Sequence, residues 1–79
     1  MPVVRLFAQA REAAGTQMAT VEGTTLEDVL AEAVRRWGAE FAAVLSGSKV
    51  WVNGEEVPPG TALGDKDEVA VLPPVSGGS

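Results

Sequence analysis

Cysteine and histidine are both absent from this chain of 79 residues. Without cysteine, the chain has no disulfide framework, no thiolate metal site and no cysteine nucleophile. Without histidine, it lacks the usual general base and the commonest metal ligand. We therefore expect no bound metal and no catalytic residues that would make the chain an independent enzyme.

Long apolar runs are also missing, and basic residues are scarce. No run approaches the ~20 apolar residues that span a bilayer, and no signal peptide opens the sequence, so we expect a cytoplasmic protein without membrane contact. Six lysines and arginines stand against eleven aspartates and glutamates, which gives a net charge of −5. This balance argues against a nucleic-acid partner and suits a basic protein partner.

The length and composition fit one small domain. Chains seldom divide into domains below one to two hundred residues, and a composition of 46% hydrophobic and 22% charged residues is ordinary for a globular protein. We expect residues 1–74 to fold and residues 75–79 to form a flexible tail.

Alternating side chains predict a strand over residues 2–8. Its two faces would be Val4, Leu6 and Ala8 on one side, and Val3, Arg5 and Phe7 on the other. Residues 9–15 are helix-prone but too few for a stable helix, so they are predicted to form a turn-rich connection that ends at Gly15. Residues 16–22 alternate weakly and would complete a hairpin with a long loop.

A helix over residues 24–37 is the clearest prediction. Thr24 followed by Glu27 has the form of a capping box, and Gly38 supplies the stop. The apolar residues recur at steps of three and four and form one stripe: Leu26, Val29, Leu30, Ala33, Val34 and Trp37. Residues 39–45 would add a short helical turn that places Phe41 in the core.

Three more strands are predicted in the second half of the chain, the middle one short. Residues 49–56 contain Asn53-Gly54, the strongest short signal for a type I′ hairpin turn. Residues 69–72 are predicted to form the last strand, with Val69 and Val71 pointing inward. It ends at Pro73-Pro74 because proline removes an amide donor. After Val75 the tail has no large or charged side chain, and Gly77 and Gly78 let the backbone pass where a side chain would clash.

These elements predict an α+β domain in which one main helix covers one face of a mixed sheet of four to five strands. The other face, here called the open face, would carry Arg5, Phe7, Trp51 and Leu72. If the first, third and last strands are neighbours, these residues form an apolar patch with a basic rim. Such a patch on a small protein usually marks a partner site.

The motifs at both ends of the chain resemble a known family. Residues 6–15 (LFAQAREAAG) resemble the first strand and following turn of the ubiquitin-like β-grasp sulfur carriers, and residues 64–78 (GDKDEVAVLPPVSGG) resemble their final loop, strand and tail. Within that group the chain is most similar to the small subunit of molybdopterin synthase, the MoaD-like branch of the MoaD/ThiS family. The resemblance covers nearly the whole chain.

The resemblance implies a chemistry that needs no histidine or cysteine on this chain. In such carriers an E1-like (MoeB-like) enzyme uses ATP to adenylate the terminal glycine, which is then converted to a thiocarboxylate. The large (MoaE-like) subunit of molybdopterin synthase binds the carrier, and the tail delivers sulfur to the pterin precursor. Gly78 would carry the acyl group, Gly77 would fit the narrow channel, and the chain itself would bind no cofactor.

The resemblance also implies which side chains meet partners. Phe7 matches a family position at the interface with the large subunit, and Leu72 lies where the family has an apolar residue beside it. Together with Arg5 and Trp51 on the open face, and with Pro73, Pro74 and Val75 leading into the tail, these are the expected partner-binding residues.

One residue departs from the family pattern. The family ends in Gly-Gly, whereas here Ser79 follows Gly78. Three explanations are open: a protease removes Ser79, Ser79 is a cloning remnant, or the chain is inactive as a carrier. Removal by a protease is the favoured one. Other functions stay open: a carrier for cysteine, tRNA thiolation or thiamine, a ubiquitin-like protein modifier, or a binding domain without covalent chemistry.

Overall fold

The computed structural model describes residues 1–74, and the predictions for Val75, Gly77, Gly78 and Ser79 lie outside them. In chain order the described elements are β1 (Val3–Leu6), α1 (Ala8–Ala14), β2 (Met18–Thr20), α2 (Leu26–Trp37), α3 (Ala39–Ser46), β3 (Lys49–Val52) and β4 (Glu68–Leu72).

The four strands form one mixed sheet in the order β2-β1-β4-β3. The two central strands, β1 and β4, run parallel, and each pairs with its outer neighbour in the antiparallel sense. The α+β class and the four-stranded sheet are therefore as predicted, and β1, β4 and β3 are neighbours. Because β1 and β4 are parallel, the C-terminal ends of both strands lie at the same end of the sheet.

The inward side chains of the sheet pack with the helices into one core. The alternation predicted for β1 and β4 is confirmed, since Val4, Leu6, Val69 and Val71 are all at most 2% exposed. The buried apolar residues of the described chain are Val4, Leu6, Ala10, Val21, Leu26, Val29, Ala33, Phe41, Val52, Val69 and Val71.

The segment after β1 is a helix, not the predicted turn-rich connection. The strand ends at Leu6, and Ala8 begins α1 with its side chain exposed, so its predicted place on the inner face is wrong. Gly15, predicted to end the connection, instead caps helix α1: it has a left-handed φ of 76° and donates its N–H to the Arg11 carbonyl at 2.9 Å. Seven residues are marginal as an isolated helix, but burial of Ala10 supplies the missing stabilisation.

The apolar stripe of α2 faces the core as predicted, but the helix begins one residue later than the capping box implied. The Thr25 hydroxyl accepts from the Asp28 N–H at 3.1 Å and caps the helix. The hydroxyl of Thr24 instead donates to the Asp28 carboxylate at 3.0 Å. The predicted capping box of Thr24 and Glu27 is therefore wrong. Thr25 and Asp28 have the same spacing, and Thr25 is the residue that caps the helix.

The helical segment after Gly38 is a full helix, α3, so three helices rather than one cover the inner face in the described chain. Phe41 is completely buried, as predicted, and its ring lies edge-on to the Trp37 ring with centroids 5.0 Å apart. Edge-to-face pairs of this kind add stability beyond the area they bury.

The Asn53-Gly54 turn is confirmed, since φ is positive at both residues, at 52° and 85°. The Asn53 side chain also fixes the neighbouring loop, because its Nδ2 donates to the Asp67 carboxylate at 2.9 Å. The Gly64 N–H donates to the other oxygen of that carboxylate at 2.7 Å. The N–H of Gly64 has the larger effect and the side chain of Asn53 the smaller one. Together they hold the pKa of Asp67 below the ordinary value of an aspartate.

Gly23 lies so close to the first turn of α2 that a side chain there would collide with it. A Cβ at this position would stand 2.6 Å from Val29 Cγ2 and 2.7 Å from the Val29 N. We expect Gly23→Ala to lower the free energy of unfolding by about 1–3 kcal/mol, the usual cost of overpacking. Gly60→Ala is the control, because its Cβ would meet no atom within 4 Å; it should change stability by less than about 0.5 kcal/mol. Urea unfolding measures both, and equal midpoints would contradict the prediction.

Candidate functional site

One row of outward side chains crosses all four strands of the open face. Arg5 on β1 is in register with Met18 on β2 and with Ala70 on β4, and Ala70 is in register with Trp51 on β3. The row therefore runs Met18, Arg5, Ala70, Trp51, with a cation between apolar groups. Met18 is 52% exposed and Trp51 is 37% exposed. Exposed side chains of this size on one sheet face are typical of a protein-docking surface.

A second part of the open face lies where β1 and β4 both end. Leu72 is half-buried and is in register with Lys49. Phe7, which is 43% exposed, follows Leu6, and Leu6 is in register with Val71. Continuing this parallel register by one residue places Phe7 beside Leu72.

The predicted members of the patch therefore do lie on one side of the sheet: Arg5, Phe7, Trp51 and Leu72. Met18 was missed. The weak alternation of β2 did not fix its register, and it is the pairing of Met18 with Arg5 that places Met18 on the outer face. Lys49 and Arg5 supply the basic character. The ion pair between Arg5 Nε and Glu68 Oε2, at 3.5 Å, joins two half-exposed side chains and is too solvated to fix Arg5 strongly.

The proline pair that follows β4 divides into one buried and one exposed residue. Pro73 is buried, so its predicted role as a surface contact is not matched by its position, whereas Pro74 is exposed. Both line a shallow groove together with Gln9 of α1 and Ala43 and Val44 of α3. Pro73 therefore packs between two helices, and Pro74, the last described residue, lies at the same end of the sheet as Phe7.

Side-chain hydrogen bonds occupy much of the free edge of β2. The Thr16 hydroxyl donates to the Met18 carbonyl at 3.0 Å and accepts from the Met18 N–H at 3.4 Å. On the same edge the Arg36 guanidinium donates to the Thr20 carbonyl at 3.0 Å. An edge whose backbone groups are already bonded is a poor template for an added strand.

The hairpin that follows β3 occupies the backbone groups of Val52 on the free edge of that strand. The Val52 N–H donates to the Glu55 carbonyl at 2.7 Å, and the Glu55 N–H donates back to Val52 at 3.1 Å. Backbone groups on both free edges are thus partly bonded, and the exposed side chains of the open face form the candidate docking surface.

The described residues offer no obvious place for a metal. In the chain up to Pro74, acidic side chains do not gather in a group of three or more that could hold an ion. In the same part of the chain, no helix is both long enough and apolar enough to cross a membrane. What the site presents is a surface of exposed apolar and basic side chains at the end of the sheet that includes Pro74.

Comparison with known proteins gives one family and several relatives over almost the whole chain. The model of the ThiS family matches residues 4–78. The molybdopterin synthase sulfur carrier subunit of Chlamydomonas reinhardtii is 40% identical over 80 aligned positions, which cover 95% of each chain.

Solved structures agree with the fold. The small archaeal modifier protein 1 of Methanosarcina acetivorans is 31% identical, with a TM-score of 0.84 and coverage of 98% of this chain and 95% of that one. A putative molybdopterin converting factor subunit 1 of Pyrococcus furiosus is 28% identical, with a TM-score of 0.79 and coverage of 94% and 97%. The β-grasp fold expected from the sequence is thereby confirmed.

Proposed function

The chain belongs to the ThiS family, and from that premise we propose that it is a sulfur carrier that serves as the small subunit of a molybdopterin synthase. The observation that carries the proposal is the likeness to the Chlamydomonas carrier subunit, at 40% identity over 95% of both chains. The family match over residues 4–78 includes the strands of the open face and the Gly77-Gly78 pair.

The open face is proposed to bind the large, MoaE-like subunit of that synthase. Phe7 and Leu72 lie at the end of the sheet that leads into Pro73 and Pro74, and Trp51 extends the apolar surface across β3. A partner seated there would contact the face and the emerging segment at once. Pro74 and Val75 would then guide the last residues toward the reacting centre of the partner.

In this proposal Gly78 carries the sulfur. An oxygen of its free carboxylate attacks the α-phosphorus of ATP on an E1-like (MoeB-like) enzyme, pyrophosphate leaves, and an acyl adenylate forms. A donor of sulfide-level sulfur then displaces AMP and leaves a thiocarboxylate. Its sulfur bonds to the pterin precursor, and water then cleaves the acyl–sulfur bond, which leaves the sulfur on the precursor and returns Gly78 to the carboxylate. The adenylate makes the carbonyl electrophilic, so the chain needs no base or nucleophile of its own. Gly77 has no Cβ and suits a narrow channel.

Ser79 must be removed before this chemistry can begin. In the sequence as it stands, the Gly78 carboxyl forms the peptide bond to Ser79 and is not free to react with ATP. Hydrolysis of that bond by a processing protease is therefore part of the proposal.

A second function is favoured by a specific likeness. The small archaeal modifier protein 1 of Methanosarcina acetivorans is 31% identical and has a TM-score of 0.84. The same adenylate, attacked by a lysine amine in place of sulfur, would join Gly78 to another protein through an isopeptide bond. Conjugates linked through lysine in cells would identify this function.

The intact mass of the chain isolated from its own cells tests the proposal. We expect a chain that has lost Ser79, a fraction of which shows the mass increase of one oxygen replaced by sulfur. The second arm incubates a chain ending at Gly78 with the E1-like enzyme, ATP and a sulfur donor, and the full-length chain is the control. A chain ending at Gly78 that stays unmodified would exclude the carrier function and leave a binding domain.

A further inference from the structure

A cleft beside the open face combines two arginines with apolar side chains. It lies between the end of β1, the first turns of α1 and the start of β2, and we call it the arginine cleft. Its lining residues are Arg5, Leu6, Phe7, Arg11, Gln17 and Met18. Phe7 and Met18 belong both to the cleft and to the apolar part of the open face, so the two surfaces are continuous.

Arg11 has no acidic partner within the described chain. The ion pairs among residues 1–74 join Asp65 to the N-terminus, Glu68 to Arg5 and Glu32 to Arg35. The pair of Arg5 and Glu68 is itself half-exposed and 3.5 Å long. Two exposed guanidinium groups thus line one cleft, and Arg11 keeps all five of its N–H donors for a partner, a fork that matches a carboxylate.

The charge of the cleft is opposite to that of the chain as a whole. The net charge is −5, and carboxylates line the surface over the start of α2, where Glu22, Asp28 and Glu32 lie. The arginine cleft therefore forms a local basic site on an acidic protein. Local complementarity of this kind fixes which surface of a partner docks and in which orientation.

We propose that the arginine cleft binds an acidic segment of the protein that docks on the open face, with a carboxylate on Arg11 and Arg5 and an adjacent apolar side chain against Phe7 and Met18. The assignment rests on the proposed function for the identity of that protein, because the cleft continues the proposed docking surface. It goes further by naming the chemistry that the partner presents.

A carboxylate is favoured over a phosphate or nucleic acid for two reasons. The acidic surface elsewhere on the chain repels a long polyanion, whereas a short acidic segment meets only the cleft. The two arginines also adjoin exposed apolar side chains, which a protein segment can cover and an inorganic anion cannot. The net negative charge of the chain favours a basic partner surface, whereas the arginine cleft favours an acidic segment. The two preferences therefore concern different parts of the surface.

The matched variants are Arg11→Gln and Arg35→Gln. Both arginines lie in the last turn of a helix, so the two substitutions remove the same charge from the same kind of position. The first experiment titrates the chain with a capped hexapeptide of alternating glutamate and leucine and monitors the amide chemical shifts of the chain by NMR. The same peptide with glutamine in place of glutamate is the control. The second measurement is the affinity for the large subunit at two salt concentrations.

We expect the glutamate peptide to shift residues of the cleft in a saturable way and the glutamine peptide to do so at least about fivefold more weakly. Arg11→Gln should weaken both the peptide and the large subunit by about fivefold and reduce the salt dependence, while Arg35→Gln should change neither. Equal behaviour of the two variants, or no preference for the glutamate peptide, would overturn the proposal even if the large subunit binds. Inorganic phosphate that produces the same shifts at lower concentration would overturn it as well.

The two proposals fail in different ways. If the large subunit does not bind the unaltered chain but the glutamate peptide still binds at Arg11, the synthase assignment fails and the cleft assignment stands. If the large subunit binds Arg11→Gln as tightly as the unaltered chain, the cleft assignment fails and the synthase assignment stands.

Discussion

Deletion of residues 77–79 is expected to abolish sulfur transfer completely while leaving the fold intact. The deletion removes Gly78, whose carboxyl group is the proposed acyl carrier, and the new terminus at Ser76 would bring a side chain into a position suited to glycine. The buried core of the described chain ends before this segment, with Val71 as its last apolar member. We therefore expect the free energy of unfolding to change by less than about 0.5 kcal/mol. Turnover of the assembled synthase and urea unfolding measure the two effects.

Deletion of Ser79 alone is the matched control for this experiment. The resulting chain keeps Gly77 and Gly78 and presents a free glycine carboxyl without proteolysis, so it should be at least as active as the full-length chain. Unchanged turnover after loss of residues 77–79 would remove the carrier function. A full-length chain that is active without any loss of Ser79 would remove the requirement for processing.

The parts of the fold that the sequence predicted are those with strong local signals. Three of these signals depend on a spacing of residues that few other structures satisfy: the apolar stripe of α2, the Asn53-Gly54 turn and the alternation in β1 and β4. Helix α1 was not predicted, because its seven residues are too few for an isolated helix to be stable. Its stability comes instead from contacts that are distant in sequence, with Ala10 fully buried and Ala13 and Ala14 packed against the core.

The candidate site was predictable to a similar degree. Alternation alone assigned Arg5, Trp51 and Leu72 to the outer side of their strands, and this is where they lie. Met18 needed the register of β2 against β1, which the weak alternation of β2 could not supply. The arginine cleft could not be predicted, because the second guanidinium is on a segment that the sequence did not identify as a helix.

The substitution Phe7→Asp is expected to weaken binding of the large subunit by about 2–4 kcal/mol, which is roughly 30-fold or more. The ring is 43% exposed at the end of the sheet where the C-terminal segment leaves, and an aspartate there would have to be desolvated in an apolar interface. The fold should tolerate the change, because Phe7 is the N-cap residue of α1 and its side chain makes no capping hydrogen bond. Aspartate is a preferred N-cap, so stability should stay constant or rise by up to about 1 kcal/mol. Calorimetric titration and urea unfolding measure the two quantities.

The comparison with Phe7→Asn separates the two causes of the lost affinity. Asparagine has the size and capping ability of aspartate but no charge, so it should remove only the contact of the ring and weaken binding less than aspartate does. Ala31→Asp places the same carboxylate on the exposed side of α2, away from the open face, and should leave affinity unchanged. If Phe7→Asp unfolds the chain, the ring is part of the core and the outer face of β1 has been assigned wrongly. If the chain folds and binds normally, the large subunit does not dock at this end of the open face, because an uncompensated charge there would otherwise be buried.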